Sequence, residues 1–230
     1  MLEAPEIPRL SAAEAYALWA PTYSEETAVS LLEDQLVTAM CPPLAGLRLI
    51  DVGCGTGRRM VSAGATAATG VEPCEGMIDA GAAQRSGRPD LEVLQGDAGS
   101  LPVRDATFDV AWCRLVLGHL GEIARPYQEL ARVLAAGGQA IVSDFHPAAQ
   151  ANGHRRTFRS SGALYEIENH PHSAADHIAA AEHAGLTLVE WAEATVGPPI
   201  RDFYAAANRL NDYADQLGMP LVLALRFEKA

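Results

Sequence analysis

Residues 49–57 read LIDVGCGTG, and this stretch decides the fold. Leu49, Ile50 and Val52 form a short aliphatic run of the kind that packs on both faces of a buried strand, with Asp51 set into it. Gly53, Gly55 and Gly57 follow at once. Residues without side chains tolerate positive φ and let a ligand touch backbone, so three of them after a strand describe a strand-to-helix turn that binds at a helix N-terminus. The spacing is GxGxG followed by Arg58, whereas dinucleotide turns follow GxGxxG.

Outward from this turn the chain alternates strand and helix signals. Helices over residues 57–65, 76–85 and 123–134 separate the apolar runs TAATGVE, LEVLQGD, FDVAWCRL and GQAIVSDF. Near-continuous apolar strands joined by helices imply a parallel sheet covered on both faces, a doubly wound α/β layout. Upstream, residues 11–40 carry a helical pattern that opens on the capping pair Ser11 and Glu14, is split at Pro21 and stops at Pro42 and Pro43. Downstream, residues 147–172 are polar and rich in His and Arg and read as a solvated loop. A helix follows over residues 174–184, and a second interruption over residues 197–218 carries one helix over residues 203–217. With no internal repeat, residues 1–230 are expected to form one domain: lid helices at 1–45, a cofactor-binding core at 46–146, and substrate-cap insertions at 147–172 and 197–218.

The net charge of −12, from 17 basic against 29 acidic residues, argues against a nucleic-acid partner, which needs clustered cations. Lys229 is the single lysine, and Arg155, Arg156 and Arg159 make the one local run of arginines. Cys41, Cys54, Cys74 and Cys113 lack zinc-site or redox spacing and read as reduced thiols. No metal site is expected. Residues 1–10 lack the pattern of a secretory leader, and no stretch is long enough to cross a bilayer, so the expected setting is cytoplasmic without a membrane partner.

Two acids narrow the ligand. The glycine turn suits either a dinucleotide pyrophosphate or the amino-acid end of S-adenosylmethionine, and Glu72, which closes the second strand, would serve a ribose in either case. Asp97, in the GDA triplet after the third strand, is placed to accept from an adenine amino group. With LIDVGCGTGR, GVEPCEGMI, QGDAGSLPVRDATFDVAW and ELARVLAAGGQAIVSDF in this order, residues 49–145 resemble the class I S-adenosylmethionine-dependent methyltransferases. AYALWAPTYSEE is similar to the entry helices of their ubiquinone/menaquinone-methylase-like branch. The resemblance implies a Rossmann-like seven-stranded sheet of order 3-2-1-4-5-7-6 with the last strand antiparallel, LTLVEWAEATV and PLVLALRFEKA supplying strands six and seven. It also implies S-adenosylmethionine as cofactor and S-adenosylhomocysteine as product.

Carried over residue by residue, Gly53, Cys54, Gly55 and Gly57 would approach the methionine moiety, Asp51 would orient its amino group and Glu72 would hold the ribose. Pro73 and Met77 would flank the adenine, and Asp97 and Ala98 would read its edge. Cys113, Arg114 and Leu115 would line the donor methyl. Tyr23 and Tyr16 would close over the cofactor, Tyr16 on the substrate side.

A sulfonium methyl is already electrophilic, so alignment of the acceptor carries much of the catalysis. A base is needed where the acceptor must lose a proton, and His119 and His146, just past the fourth and fifth strands, are the candidates. Arg155, His170 and His172 are candidate substrate contacts. The fourth strand ends in WCRL, without a [DN]PP[FY] signature. The expected acceptor is therefore a small organic molecule methylated at oxygen, nitrogen or carbon, by a monomer or homodimer. Two rivals share the glycine turn: a nicotinamide-dependent oxidoreductase and a non-catalytic cofactor-binding subunit.

Overall fold

The computed structural model describes residues 7–23 and 25–230; the leader-free reading of residues 1–6 lies outside them. The chain runs β1 (Arg9–Leu10), α1 (Ala12–Trp19), α2 (Ala28–Met40), β2 (Arg48–Val52), α3 (Arg58–Ser62), β3 (Ala67–Glu72), α4 (Glu75–Arg85), β4 (Leu91–Gln95), β5 (Phe108–Arg114), α5 (Ala124–Val133) and β6 (Leu134–Phe145). It continues through α6 (Pro147–Ala151), β7 (Thr157–Ser160), β8 (Ala163–Ile167), α7 (Ala174–His183), β9 (Leu186–Thr195), α8 (Arg201–Ala206), α9 (Leu210–Gln216) and β10 (Pro220–Lys229).

Seven strands form one sheet in the order β4-β3-β2-β5-β6-β10-β9. Counted from β2 as the first strand, this is the expected 3-2-1-4-5-7-6. β2 lies between β3 and β5 in parallel register, Leu49 opposite both Ala68 and Val110. β10 runs antiparallel to both β6 and β9. Leu49 and Ile50 are fully buried, as a strand covered on two faces requires. One apolar layer gathers under α5 and α7 around Ile50, Val71, Tyr127, Leu130 and Phe227. The other gathers under α2 and α3 around Val37, Met40, Leu49, Met60 and Trp112.

The glycine turn leaves β2 with Gly53, Gly55 and Gly57 all at positive φ. Its tightest constraint comes from a glycine outside it: a Cβ on Gly81 would fall on the Thr56 carbonyl oxygen, so α4 seats its backbone against the turn.

Two expectations change. Residues 147–172 are not a solvated loop. Phe158 and Ile167 alternate with polar neighbours, and Ser161 and Gly162 turn the chain at positive φ, which makes a β7–β8 hairpin. β8 then pairs in parallel with β1, Leu10 opposite Ile167, so the insertion and the entry segment form a separate three-stranded sheet. Ala15 and Trp19 of α1 pack on its apolar face with Phe158 and Ile167. The helix expected over residues 203–217 is broken into α8 and α9 because Asn208 takes a left-handed conformation, which Asn tolerates better than most residues. Elsewhere Ser11 and Glu14 form the expected capping box. Among the described residues no helix is long and apolar enough to cross a membrane.

Gly81→Ala is expected to cost about 1–3 kcal/mol through overpacking against backbone that cannot yield. Urea unfolding at constant slope reads this as a lowered midpoint. An unchanged midpoint would mean that α4 does not press on the glycine turn.

Candidate active site

The carboxyl ends of β2, β3, β4 and β5 open into a cavity of about 640 Å³ roofed by α1 and the start of α2. Its floor is the glycine turn. Gly53, Cys54 and Gly55 line it, with Asp51 and Glu72 on the strands beneath and beside. Pro73 and Met77 form one wall, Asp97 and Ala98 another, and Leu115 and His119 close the far end under Tyr16 and Tyr23. Fourteen of the expected site residues, Arg114 included, therefore meet here.

Glu72 is 6% exposed. The Gly55 amide donates to its Oε2 at 2.9 Å and the Cys74 amide to its Oε1 at 3.0 Å. Burial raises its pKa and these two amides oppose the rise. Asp51 is raised further, to about 7. Burial is the main cause, Arg114 opposes it, and the Glu33 and Glu72 carboxylates add to it. Asp97 accepts from the Gly99 amide at 2.8 Å in an Asx turn. A Cβ on Gly55 would enter the gap between the Met77 methyl and the Tyr23 ring, at 3.1 and 3.7 Å, so the glycine keeps that space open.

Arg114 lines the cavity, but its guanidinium is held by two carboxylates. Nε donates to Glu33 Oε1 at 2.8 Å and Nη2 to Glu33 Oε2 at 2.7 Å and to Asp34 Oδ1 at 2.9 Å. The Ser143 hydroxyl donates to the same Glu33 at 2.7 Å. This buried cluster clamps α2 to the end of β5.

Several expected residues stand elsewhere. Cys113 is buried under α5, because alternation along β5 turns it from the cavity. Gly57 starts α3 and faces Met60 and Arg85. His146 is outside this cavity: its Nδ1 accepts from the Ala148 amide at 3.0 Å as the N-cap of α6, and its Nε2 meets Glu193 at 3.0 Å. His170 and His172 also leave the site. The His170 amide donates to the Gly118 carbonyl at 2.7 Å and His172 Nε2 to the Leu120 carbonyl at 2.7 Å, stitching the segment after β8 to the loop after β5.

His119 lines the cavity but differs from the expected base near neutrality. Burial first, and the Arg156 guanidinium second, depress its pKa to about 3. Its Nδ1 lies 3.4 Å from the Glu168 carbonyl and its Nε2 3.0 Å from the Tyr16 hydroxyl. This network assigns a neutral ring with the proton on Nδ1, and Nε2 is occupied by Tyr16.

Behind Tyr16, Tyr23 and Leu115 lies a second cavity of about 250 Å³, between the lid and the two insertions. Arg155 is on its rim, paired with Glu166 at 2.6 Å. Arg156, missed in the sequence, faces inward, donating to the Tyr16 hydroxyl at 3.3 Å and the Leu115 carbonyl at 3.4 Å. Among the described residues no cluster of His, Cys, Asp and Glu could hold a metal ion.

Residues 50–142 match the family model described as a methyltransferase domain. The 27-O-demethylrifamycin SV methyltransferase of Amycolatopsis mediterranei is 36% identical over 52% of this chain and 46% of its own. The demethylmenaquinone methyltransferase of Clavibacter sepedonicus is 33% identical over 52% of this chain and 51% of its own. Residues 50–142 are thus similar to the class I S-adenosylmethionine-dependent methyltransferases. The chain spans about half the length of the curated relatives it matches. A solved S-adenosylmethionine-dependent methyltransferase from Mesorhizobium loti shares the fold, with a TM-score of 0.65 and 21% identity over 84% of this chain and 95% of that one. S-adenosylmethionine is the cofactor of this family, and the cavity fits it: buried carboxylates for a cation and a diol, a glycine-held gap, and an apolar slot at Met77.

The depressed His119 fixes a sign. Between about pH 6.5 and 3 the unfolded chain binds a proton there that the folded chain refuses, so stability falls as pH falls through this window. In His119→Gln the slope of melting temperature against pH over that range is expected to be shallower than in wild type. Equal slopes would mean that the ring titrates freely.

Proposed function

We propose that this chain transfers the methyl group of S-adenosylmethionine to a small organic acceptor. The observation that carries the reading is Glu72, a buried carboxylate held by the Gly55 and Cys74 amides at the floor of the 640 Å³ cavity. Each of its oxygens keeps acceptor capacity for the ribose hydroxyls. Asp51 would receive the ammonium group while Gly53, Cys54 and Gly55 admit the amino-acid chain to backbone. Pro73 and Met77 would sandwich the adenine, with Asp97 accepting from its amino group beside Ala98. Tyr23 would cover the cofactor and Leu115 would border the methyl. When bound, the cofactor supplies an electrophilic methyl group.

The chain's part is then alignment and exclusion of water, both supported by a lid of aromatic side chains and a far end lined by neutral groups. His119 would orient Tyr16 rather than take a proton. We read residues 1–230 as one domain, with the acceptor entering between the lid and the insertions at 147–172 and 197–218. A cytoplasmic protein, monomer or homodimer, without a nucleic-acid partner accords with four free thiols and a net charge of −12.

Glu72→Ala is expected to weaken S-adenosylhomocysteine binding by about 1–3 kcal/mol in calorimetry, the cost of losing a charged hydrogen-bond partner. Unchanged affinity in the folded variant would remove the ribose assignment. NADH is expected not to bind. Tight NADH binding with no response to S-adenosylhomocysteine would make the chain a nicotinamide enzyme instead.

Asp51 gives the same site a pH signature. A ligand ammonium favours the ionised carboxylate, so affinity for S-adenosylhomocysteine is expected to rise with pH up to about 7 and level off above it. Below that point the loss approaches about tenfold per pH unit at most. Asp51→Asn should bind weakly and without the slope; a slope that persists would place the titrating group elsewhere.

A further inference from the structure

The second cavity is chemically unlike the rest of this acidic chain. Its lining holds four arginines, Arg58, Arg155, Arg156 and Arg209, against one carboxylate, Glu25. Six of the fourteen aromatic side chains also face it: Tyr16, Trp19, Tyr23, Phe145, Phe203 and Tyr204.

Three of the four arginines are matched by acids. Arg155 pairs with Glu166 at 2.6 Å, Arg209 with Asp212 at 2.6 Å and Arg58 with Glu26 at 3.6 Å. Arg156 differs, because among the described residues no carboxylate lies within 4.0 Å of it. It is half-buried, and its two hydrogen bonds, at 3.3 and 3.4 Å, are long and go to neutral oxygens. A guanidinium has five donors, and withdrawing one from water without a counter-charge is unfavourable. The two oxygens locate it. Tyr16 and Leu115 line both cavities, so Arg156 stands at their junction, where an acceptor would meet the methyl group.

We propose that the acceptor is a planar small molecule bearing an oxyanion, and that Arg156 holds this oxyanion at the junction while the aromatic walls take the ring. The inference rests on the methyltransferase reading of the larger cavity. It also accounts for the missing base. His119 is neutral with Nε2 occupied, and His146 caps a helix outside the cavity. An acceptor oxygen that arrives ionised provides the electron pair of the new O–C bond, the C–S pair stays on sulfur, and no proton moves. Planar walls and one fork-shaped cation together select a flat anion over a neutral ring of the same size.

The test is calorimetry on the full chain saturated with S-adenosylhomocysteine, with two matched pairs of probes: salicylate against salicylamide, and 1-hydroxy-2-naphthoate against 1-hydroxy-2-naphthamide. In at least one pair the carboxylate is expected to bind about tenfold or more tighter than its amide. Arg156→Gln should abolish this preference while leaving the amide and S-adenosylhomocysteine within about twofold of wild type, and Arg155→Gln should keep it. Equal binding of acid and amide to wild type, no binding of any probe, or a preference that survives Arg156→Gln would overturn the proposal. The wild-type comparison decides the matter even if Arg156→Gln does not fold. Failure of S-adenosylhomocysteine to bind wild type would instead strike the reading of the larger cavity.

Discussion

The two backbone amides on Glu72 organise the rest of the site. Gly55 donates from the turn after β2, and Cys74 donates from the turn after β3. One buried carboxylate therefore fixes two strand-to-helix turns relative to each other, and the cavity floor is the surface between them. The arrangement needs glycine in the first turn, where positive φ aims the amide, and Gly81 in α4, which lets the second helix press on the Thr56 carbonyl. Lost hydrogen bonds to a charge of this kind cost more than those between neutral groups, so the two turns move together or not at all.

The lid above this floor is held in two different ways. α2 is bound by the Glu33–Arg114 pair, 2% and 8% exposed, with Asp34, Arg59 and Ser143 completing the cluster. Separating it would strand a buried charge, which is strongly unfavourable. α1 is bound by aromatic packing and by hydrogen bonds around Tyr16, with no buried ion pair among the described residues. Trp19 stacks on Phe158 at 5.0 Å between centroids, and Tyr16 reaches His119 at 3.0 Å. Parting these contacts costs less than parting α2, and α1 is tied through β1 to the β7–β8 hairpin. Entry helix and first insertion therefore behave as one piece, separate in its energetics from α2.

What the sequence made legible was local or carried by a motif. Ser11 and Glu14 cap a helix by their spacing alone, and the glycine turn with Glu72 and Asp97 gathers around one cavity because each closes a strand of the same parallel sheet. What escaped reading depends on distant pairing. Arg155 and Arg156 are adjacent just before β7, and one pairs with Glu166 at the rim while the other faces inward. Which is which follows from where the hairpin docks against Leu10, and no local pattern states that. His119 stands at a strand end as expected, but its proton affinity is set by α1 covering it, more than a hundred residues away in sequence. His146 carries a readable signal, since a residue before Pro147 at the start of a helix is a capping position, and the structure uses it as one.

The charge of the chain and the charge of its second cavity point in opposite directions, and distance decides between them. At physiological ionic strength surface charges are screened beyond about 8 Å, so most of the net −12 is not felt inside a walled cavity. Inside, the nearest charges dominate, and low-dielectric aromatic walls strengthen them. Three of the four arginines there are paired with acids that lie beside them, which leaves Arg156 as the one without an adjacent carboxylate among the described residues. The acidic exterior then slows the approach of an anion without weakening its hold once seated, a division between encounter and binding. A chain poor in cations thus keeps one without an adjacent acid where two cavities meet, and the aromatic side chains around it provide a face for a ring rather than a further charge.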